Sequence, residues 1–167
     1  MKKILLVLAV VFGLSTTAMA QQKGDAFIGG AIGFSAGTDQ SASFGLAVEG
    51  GGFVANRLAL SGELAYNLVG GEIHVVTAGP KLSYYARLAD KFYYTPSISV
   101  MAVYANAGGY DTGGIGVGLG LAGFEFRPTP HFGMNVNLFS LSGMFSDEFT
   151  FSVDMMMNTS VSFRYYF

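Results

Sequence analysis

Hydrophobic and polar residues alternate one by one over most of the chain after residue 25. The pattern is clearest at the C-terminus. There Phe149, Phe151, Val153, Met155, Met157, Thr159, Val161, Phe163, Tyr165 and Phe167 share one parity, and Thr150, Ser152, Asp154, Met156, Asn158, Ser160, Ser162, Arg164 and Tyr166 share the other. Successive side chains of a strand point to opposite faces, so this run predicts a strand with one apolar and one mostly polar face. The same period recurs upstream. Phe44, Leu46 and Val48 alternate with Ser43, Gly45 and Glu49; Leu58, Leu60, Leu64 and Tyr66 with Ser61, Glu63 and Asn67. Further alternating runs cover residues 76–88, 94–104, 115–122 and 132–138, and a weaker one residues 25–34. Eight strands are predicted.

The connections also alternate. Residues 54–57, 89–91 and 128–130 are tight and carry Asn56, Asp90, Pro128 and Pro130, whereas the connections near residues 35–41, 69–73, 106–113 and 146–148 carry Gly, Asp, Glu or Ser and read as more varied loops. An even number of strands, with short turns at one end and more varied loops at the other, is the pattern of a transmembrane barrel. The predicted fold is all-β, an eight-stranded antiparallel up-and-down transmembrane β-barrel.

A water-soluble lipocalin-like barrel would show the same alternation, so polarity must decide which face is outside. The bulky face carries Phe, Leu, Val and Tyr, and the opposite face Gly, Ala, Ser, Thr and Asn. Eight strands enclose only enough space for side chains to fill, so the small polar face points inward and the large apolar one meets lipid. Composition agrees: charged residues are 12% of the chain, about half the ~25% of soluble domains. Closing the sheet satisfies backbone groups that hydrocarbon cannot. Phe53, Tyr84, Phe92, Tyr94, Phe124, Phe126, Phe132 and Tyr165 lie near the short turns and are expected to form an aromatic girdle. The parity of Phe124 and Phe126 disagrees with that of Leu119 and Leu121, which reads either as a β-bulge near Ala122-Gly123 or as the strand leaving the bilayer there.

The first twenty residues read as an address. Lys2-Lys3, the apolar run Ile4 to Leu14 and the small-residue pattern Ala18-Met19-Ala20 form a secretory signal peptide, with cleavage between Ala20 and Gln21. Residues 1–20 are then the signal and 21–167 the barrel. The mature chain carries seven basic and eleven acidic side chains, a balance that points away from nucleic-acid binding. There is no Cys, which removes disulfides, thiolate metal sites and thiol nucleophiles.

With these features the mature chain resembles the small eight-stranded outer-membrane β-barrel family of Gram-negative bacteria, the porin-like group that includes the OmpX and OmpA barrels. The most specific match is the ending Phe163-Arg164-Tyr165-Tyr166-Phe167, where Phe163, Tyr165 and Phe167 look like that family's C-terminal assembly signal. The resemblance implies insertion in the cell outer membrane, with outer-membrane lipid and the barrel-assembly machinery as partners. The chain departs from the family in having no Trp and no peptidoglycan-binding domain after the barrel.

Chemistry is sparse. His74 and His131 fall at opposite predicted ends, neither beside a serine in the His-x-Ser arrangement of lipid A deacylases, so no catalytic site, cofactor site or metal site is assigned. Residues 118–123 match G-x-G-x-x-G, but Pro128 and Pro130 follow where a helix is required. Those glycines are expected to leave room for long side chains from opposite strands. Asn158-Thr159-Ser160 matches a glycosylation sequon inside a strand and is assigned nothing.

By parity, Glu49, Glu63, Lys81, Arg87 and Arg164 face the lumen, where charges must pair. They are the candidate plug, or the candidate gate of a narrow ion channel. The last strand, residues 149–167, would run roughly 60 Å at ~3.3 Å per residue, so its hairpin is expected to protrude and offer an edge to a surface protein partner. The leading expectation is a monomeric structural or surface-interaction protein without a large pore. A narrow gated channel comes second and a lipid-modifying enzyme third.

Overall fold

The computed structural model describes residues 23–37, 40–145 and 149–167; the expected cleavage pair Ala20 and Gln21 lies outside them. Eleven strand segments follow in order: β1 (Ala26–Gly37), β2 (Gln40–Ala55), β3 (Leu58–Val69), β4 (Ile73–Tyr84), β5 (Ala86–Ala89), β6 (Phe92–Tyr94), β7 (Ser97–Ala107), β8 (Tyr110–Gly120), β9 (Gly123–Thr129), β10 (Phe132–Phe145) and β11 (Phe149–Tyr166). Segments β5, β6 and β9 are the short-turn ends of three long strands, broken at Tyr85, at Thr95-Pro96 and at Leu121-Ala122. Eight strands therefore make the ring β1-β2-β3-β4-β7-β8-β10-β11, and β11 returns to β1 from Phe27↔Tyr166 to Gly33↔Ser160, all antiparallel. The eight-stranded up-and-down barrel is the observed fold.

The faces fall as parity requires. Ile28, Ile32, Leu46, Val48, Leu60, Leu64, Ile98, Val100 and Ile115 are exposed on the outside, a surface unsuited to water and suited to hydrocarbon. Tyr84, Phe92, Phe126, Phe132 and Tyr165 ring the short-turn end and are exposed, as expected of a girdle. Phe53 is a correction. It is 3% exposed and points inward, packing against Phe27, Tyr85 and Tyr166. A second belt, unforeseen in the sequence, rings the loop end with Phe34, Phe44, Tyr66, Tyr104 and Phe145.

The bulge near Ala122-Gly123 is present. The amides of Leu121 and Ala122 both donate to the Phe139 carbonyl, at 3.0 and 3.2 Å, so two residues oppose one. The slip turns Gly120 and Gly123 to the same side and carries Glu125 into the interior.

Two expectations about the loop end fail. Residues 106–113 are not a loop: the ladder continues to Ala107↔Tyr110, and only Gly108-Gly109 turn the chain. Both have positive φ, 59° and 92°, the geometry of a tight hairpin turn that glycine adopts without strain. The final hairpin is also shorter than a continuous strand implies. The β10–β11 register slips between Asn137↔Ser160 and Phe139↔Met155, so residues 156–159 are taken up opposite Leu138 alone. Its tip, Phe145↔Phe149, lies level with Ile115 of β8, and β8 runs on to Tyr110. The last hairpin therefore does not overreach its neighbour.

Candidate functional site in the barrel lumen

The lumen divides into a filled half and an empty half. At the short-turn end, Phe27, Phe53, Tyr85, Tyr93 and Tyr166 close the interior with rings. The Arg127 guanidinium lies 3.3 Å from the Tyr166 ring centroid and 5.4 Å from that of Tyr93, a cation–π stack in a water-poor setting.

Above the rings lies a chain of alternating charge. Arg164, 4% exposed, donates from Nη1 to Glu125 Oε2 at 2.7 Å, and from Nη2 and Nε to Glu49 Oε2 at 2.8 and 3.1 Å. Glu125, with no exposed surface, also accepts from Arg127 Nε at 2.6 Å and from the Tyr166 hydroxyl at 2.7 Å. Glu49 accepts from the Ser61 hydroxyl at 2.7 Å, with the Lys81 ammonium 3.4 Å away. Lys81 in turn donates to Glu63 at 2.7 Å. Three carboxylates and three cations are interleaved, which offsets the desolvation that isolated charges would suffer there.

Glu49, Glu63, Lys81 and Arg164 are thus brought together as parity predicts. Arg87 is not. It sits at the short-turn end, with Nη2 2.7 Å from Asp90 Oδ1 and Nε 3.3 Å from the Ala89 carbonyl, because its strand has passed below the charged layer. Sequence reasoning missed Glu125 and Arg127, and it placed Tyr166 on the inward parity without giving it a part in the charged layer. The signal was present, since aromatics at 124 and 126 facing lipid put residues 125 and 127 inward.

The glycines of β8 make room, but for neighbours on the adjacent strand. A Cβ on Gly118 would stand 2.7 Å from Ser99 Oγ, and one on Gly120 2.6 Å from Ser97 Oγ, both on β7 rather than across the barrel. The result is a cavity of about 370 Å³ that runs from Arg164, Lys81 and Glu63 toward the loop end, walled by Gly, Ser, Thr and Asn.

The histidines stand apart from all of this. His74 Nδ1 lies 2.7 Å from the Tyr66 hydroxyl at the loop end, and His131 Nδ1 2.9 Å from the Tyr166 carbonyl at the other. Phe163, Tyr165 and Phe167 are exposed on the outer face, Phe163 stacked on Phe132 and Tyr165 edge-on to Phe167.

No family model matches the chain, and no curated protein matches it in sequence. Solved structures do. Neisserial surface protein A superposes with a TM-score of 0.64 at 14% identity, over 86% of this chain and 96% of that one. The N-terminal β-barrel domain of Pseudomonas aeruginosa OprF gives 0.56 at 13%, over 88% and 100%. The outer membrane protein OprG of the same organism gives 0.50 at 14%, over 89% and 98%. At such identity the likeness establishes the fold. The chain has the fold of the small eight-stranded outer-membrane β-barrels.

Proposed function

We propose that this protein is an integral outer-membrane barrel with a structural or surface-interaction role, closed to large solutes and without enzymatic activity. The observation that carries the reading is the plug: a layer of six interleaved charges above a layer of aromatic rings fills the short-turn half of the lumen. Residues 1–20 are read as the signal that takes the chain across the inner membrane. Phe163, Tyr165 and Phe167 are read as the motif presented to the assembly machinery, and the barrel acts as a monomer in outer-membrane lipid.

A surface role finds support in an edge. Among the described residues, β1 pairs with β11 only as far as Ser160, so residues 149–155 pair with β10 alone. An unpaired strand edge at the loop end offers backbone donors and acceptors to a partner chain. Deleting Met144 to Phe151 while keeping heat-modifiable mobility should abolish binding to host or bacterial surfaces; unchanged binding refutes this role.

One observation favours a second reading, a narrow gated channel. Lys81 sits between Glu63 and Glu49 and can exchange partners without leaving the ionic layer. Planar-bilayer recording separates the two. The plugged barrel predicts no conductance in the parent and none in Glu63→Gln or Lys81→Met, whereas a gate predicts channel events that these substitutions change.

A further inference from the structure

The aromatic belt at the loop end is not the same all round the barrel. On β1, β2 and β10 it is carried by Phe34, Phe44 and Phe145. On β3, β4, β7 and β8 the same outer face carries Tyr66, His74, Tyr104, Asn106 and Asp111. The register sets His74 opposite Asn106 and Asn106 opposite Asp111, with Val76 opposite Tyr104 two residues nearer the membrane centre. Side chains directly opposed on one face stand ~4.5–5.5 Å apart at Cβ, so adjacent strands gather these groups into one polar cluster. Its members are tied to one another. The Tyr66 hydroxyl and His74 Nδ1 are 2.7 Å apart, and Asp111 Oδ1 accepts from the Tyr104 hydroxyl at 2.8 Å and from Asn106 Nδ2 at 2.5 Å. These bonds fix both tyrosine rings, yet they leave Asp111 Oδ2, Asn106 Oδ1 and His74 Nε2 without a protein partner among the described residues.

The cluster lies at the edge of the apolar wall. Tyr84, in the girdle of the short-turn end, and His74 are ten residues apart on β4, about 34 Å along the strand at ~3.4 Å per residue. Tilted by ~40°, that length rises about 26 Å, close to the ~25 Å height of the apolar band of an outer-membrane barrel. His74 and its neighbours therefore stand where lipid headgroups begin. No cation stands with them, because every Lys and Arg after residue 20 belongs to the lumen or to the short-turn end. The surface thus offers ring faces and hydrogen-bond acceptors, and no side chain that pairs with a phosphate.

We infer that this face of the barrel binds the saccharide headgroup of a membrane glycolipid. Sugar hydroxyls donate to Asp111 Oδ2 and Asn106 Oδ1, a further hydroxyl bonds to His74 Nε2, and the Tyr66 and Tyr104 rings cover the C–H face of the sugar. The acyl chains run down the exposed apolar wall beneath, over Val76 and Val100, so the site continues the lipid-facing surface. A phospholipid headgroup suits it less, because its phosphate would meet a carboxylate and no cation. A metal ion suits it less too, since among the described residues no three Asp, Glu or His side chains converge. The inference rests on the outer-membrane reading and adds to it which lipid is held and on which side of the barrel.

Amide NMR titration of the barrel in phosphatidylcholine nanodiscs tests it, with digalactosyldiacylglycerol, phosphatidylglycerol and phosphatidylethanolamine of matched chains added in turn at the same mole fractions. The galactolipid should shift the amides of residues 66, 74, 104, 106 and 111 saturably, and the two phospholipids should not. Asp111→Ala should weaken that response about tenfold, the worth of one charge-assisted hydrogen bond, and Tyr104→Leu severalfold. Phe44→Leu, on the Phe side of the belt, should leave it unchanged. If Asp111→Ala disturbs the β7–β8 tip, Tyr104→Leu carries the test alone. Equal shifts with phosphatidylglycerol, shifts spread evenly to residues 34, 44 and 145, or a response unchanged by Tyr104→Leu would mean an ordinary lipid annulus, and the inference falls. Heat-modifiable mobility of the same nanodisc sample reads insertion separately. Loss of glycolipid binding by an inserted barrel leaves the outer-membrane reading standing, whereas a barrel that does not insert overturns both.

Discussion

Glu125→Ala is the perturbation to which the plug should respond most. The carboxylate has no exposed surface and accepts from Arg164, Arg127 and the Tyr166 hydroxyl at 2.7, 2.6 and 2.7 Å. Three charge-assisted bonds at about 1.5–3 kcal/mol each set an upper bound of roughly 4.5–9 kcal/mol. They share one carboxylate, however, and Arg164 keeps both bonds to Glu49. Loss of one partner from a buried ion pair, about 3–5 kcal/mol, is therefore the better guide, and it stands for a ~10²–10⁴ loss in the folding constant. Tyr166→Phe removes a single bond to the same carboxylate and should cost about 1–3 kcal/mol. The assay is urea unfolding in lipid bilayers, followed by gel mobility of unboiled samples. Arg164→Met combined with Glu125→Gln should be less destabilising than the sum of the single changes, because both remove the same Arg164–Glu125 ion pair. A Glu125→Ala loss below ~1 kcal/mol would refute the plug as a dry, closed layer and place water beside Glu125.

Two glycines of opposite circumstance test the packing. A Cβ on Gly79 would meet the Val100 carbonyl oxygen and lie 2.9 Å from Met101 Cα, whereas one on Gly50 meets nothing within 4 Å. Gly79→Ala should cost about 1–3 kcal/mol by overpacking and Gly50→Ala should be neutral or slightly stabilising, both read by the same urea assay. At the β7–β8 tip, the Asp111 carboxylate accepts from the Asn106 amide at 2.5 Å and the Tyr104 hydroxyl at 2.8 Å, and these bonds hold its pKa below the ordinary 3.8. A depressed carboxylate stabilises the tip fully above its ordinary pKa and loses that contribution as pH falls through the lowered one. NMR titration should place the Asp111 midpoint below 3.8, and Asp111→Asn should leave the tip insensitive to acid. Replacing Phe163, Tyr165 and Phe167 together with Ser should slow assembly into the outer membrane in cells more than it slows refolding into detergent, measured by pulse-chase against in vitro folding.

The period-two pattern makes the strands and their faces legible, because a strand buried in lipid on one side and in a narrow lumen on the other has no freedom to change parity unnoticed. Leu60, Leu64 and Tyr66 outside with Ser61 and Glu63 inside is a direct consequence. What escapes is local. An aromatic near a turn suits lipid, so Phe53 reads as girdle, yet at that height the lumen needs volume and takes rings from several sides of the barrel. Residues 106–113 read as a loop because Gly-Gly flanked by Asp and Asn is turn chemistry; only the ladder reveals that two residues suffice. Arg87 follows parity but not height, and parity carries no information about how far down the barrel a side chain lies. Glu125 and Arg127 are hidden by the bulge, which displaces the face assignment after Leu121 and shows in sequence only as a disagreement in parity between Leu119 and Leu121 and the aromatic pair Phe124 and Phe126.

Side-chain size along the inward parity decides where this barrel is solid. An eight-stranded ring has one fixed, narrow bore, so Phe, Tyr and Arg at one end and Gly, Ala and Ser at the other make a plug and a vestibule without any change in the ring itself. The ionic layer lies at the boundary because only there do long charged side chains have both the aromatic floor to cover their stems and the vestibule to admit them. This arrangement bears on conduction. Exchange of Lys81 between Glu63 and Glu49 rearranges the top of the layer and leaves Arg164, Glu125, Arg127 and Tyr166 in place beneath it. A continuous path through the barrel therefore requires the aromatic floor to move together with the ion pairs, and it is this second, coupled displacement that makes a closed barrel the stronger reading of the lumen.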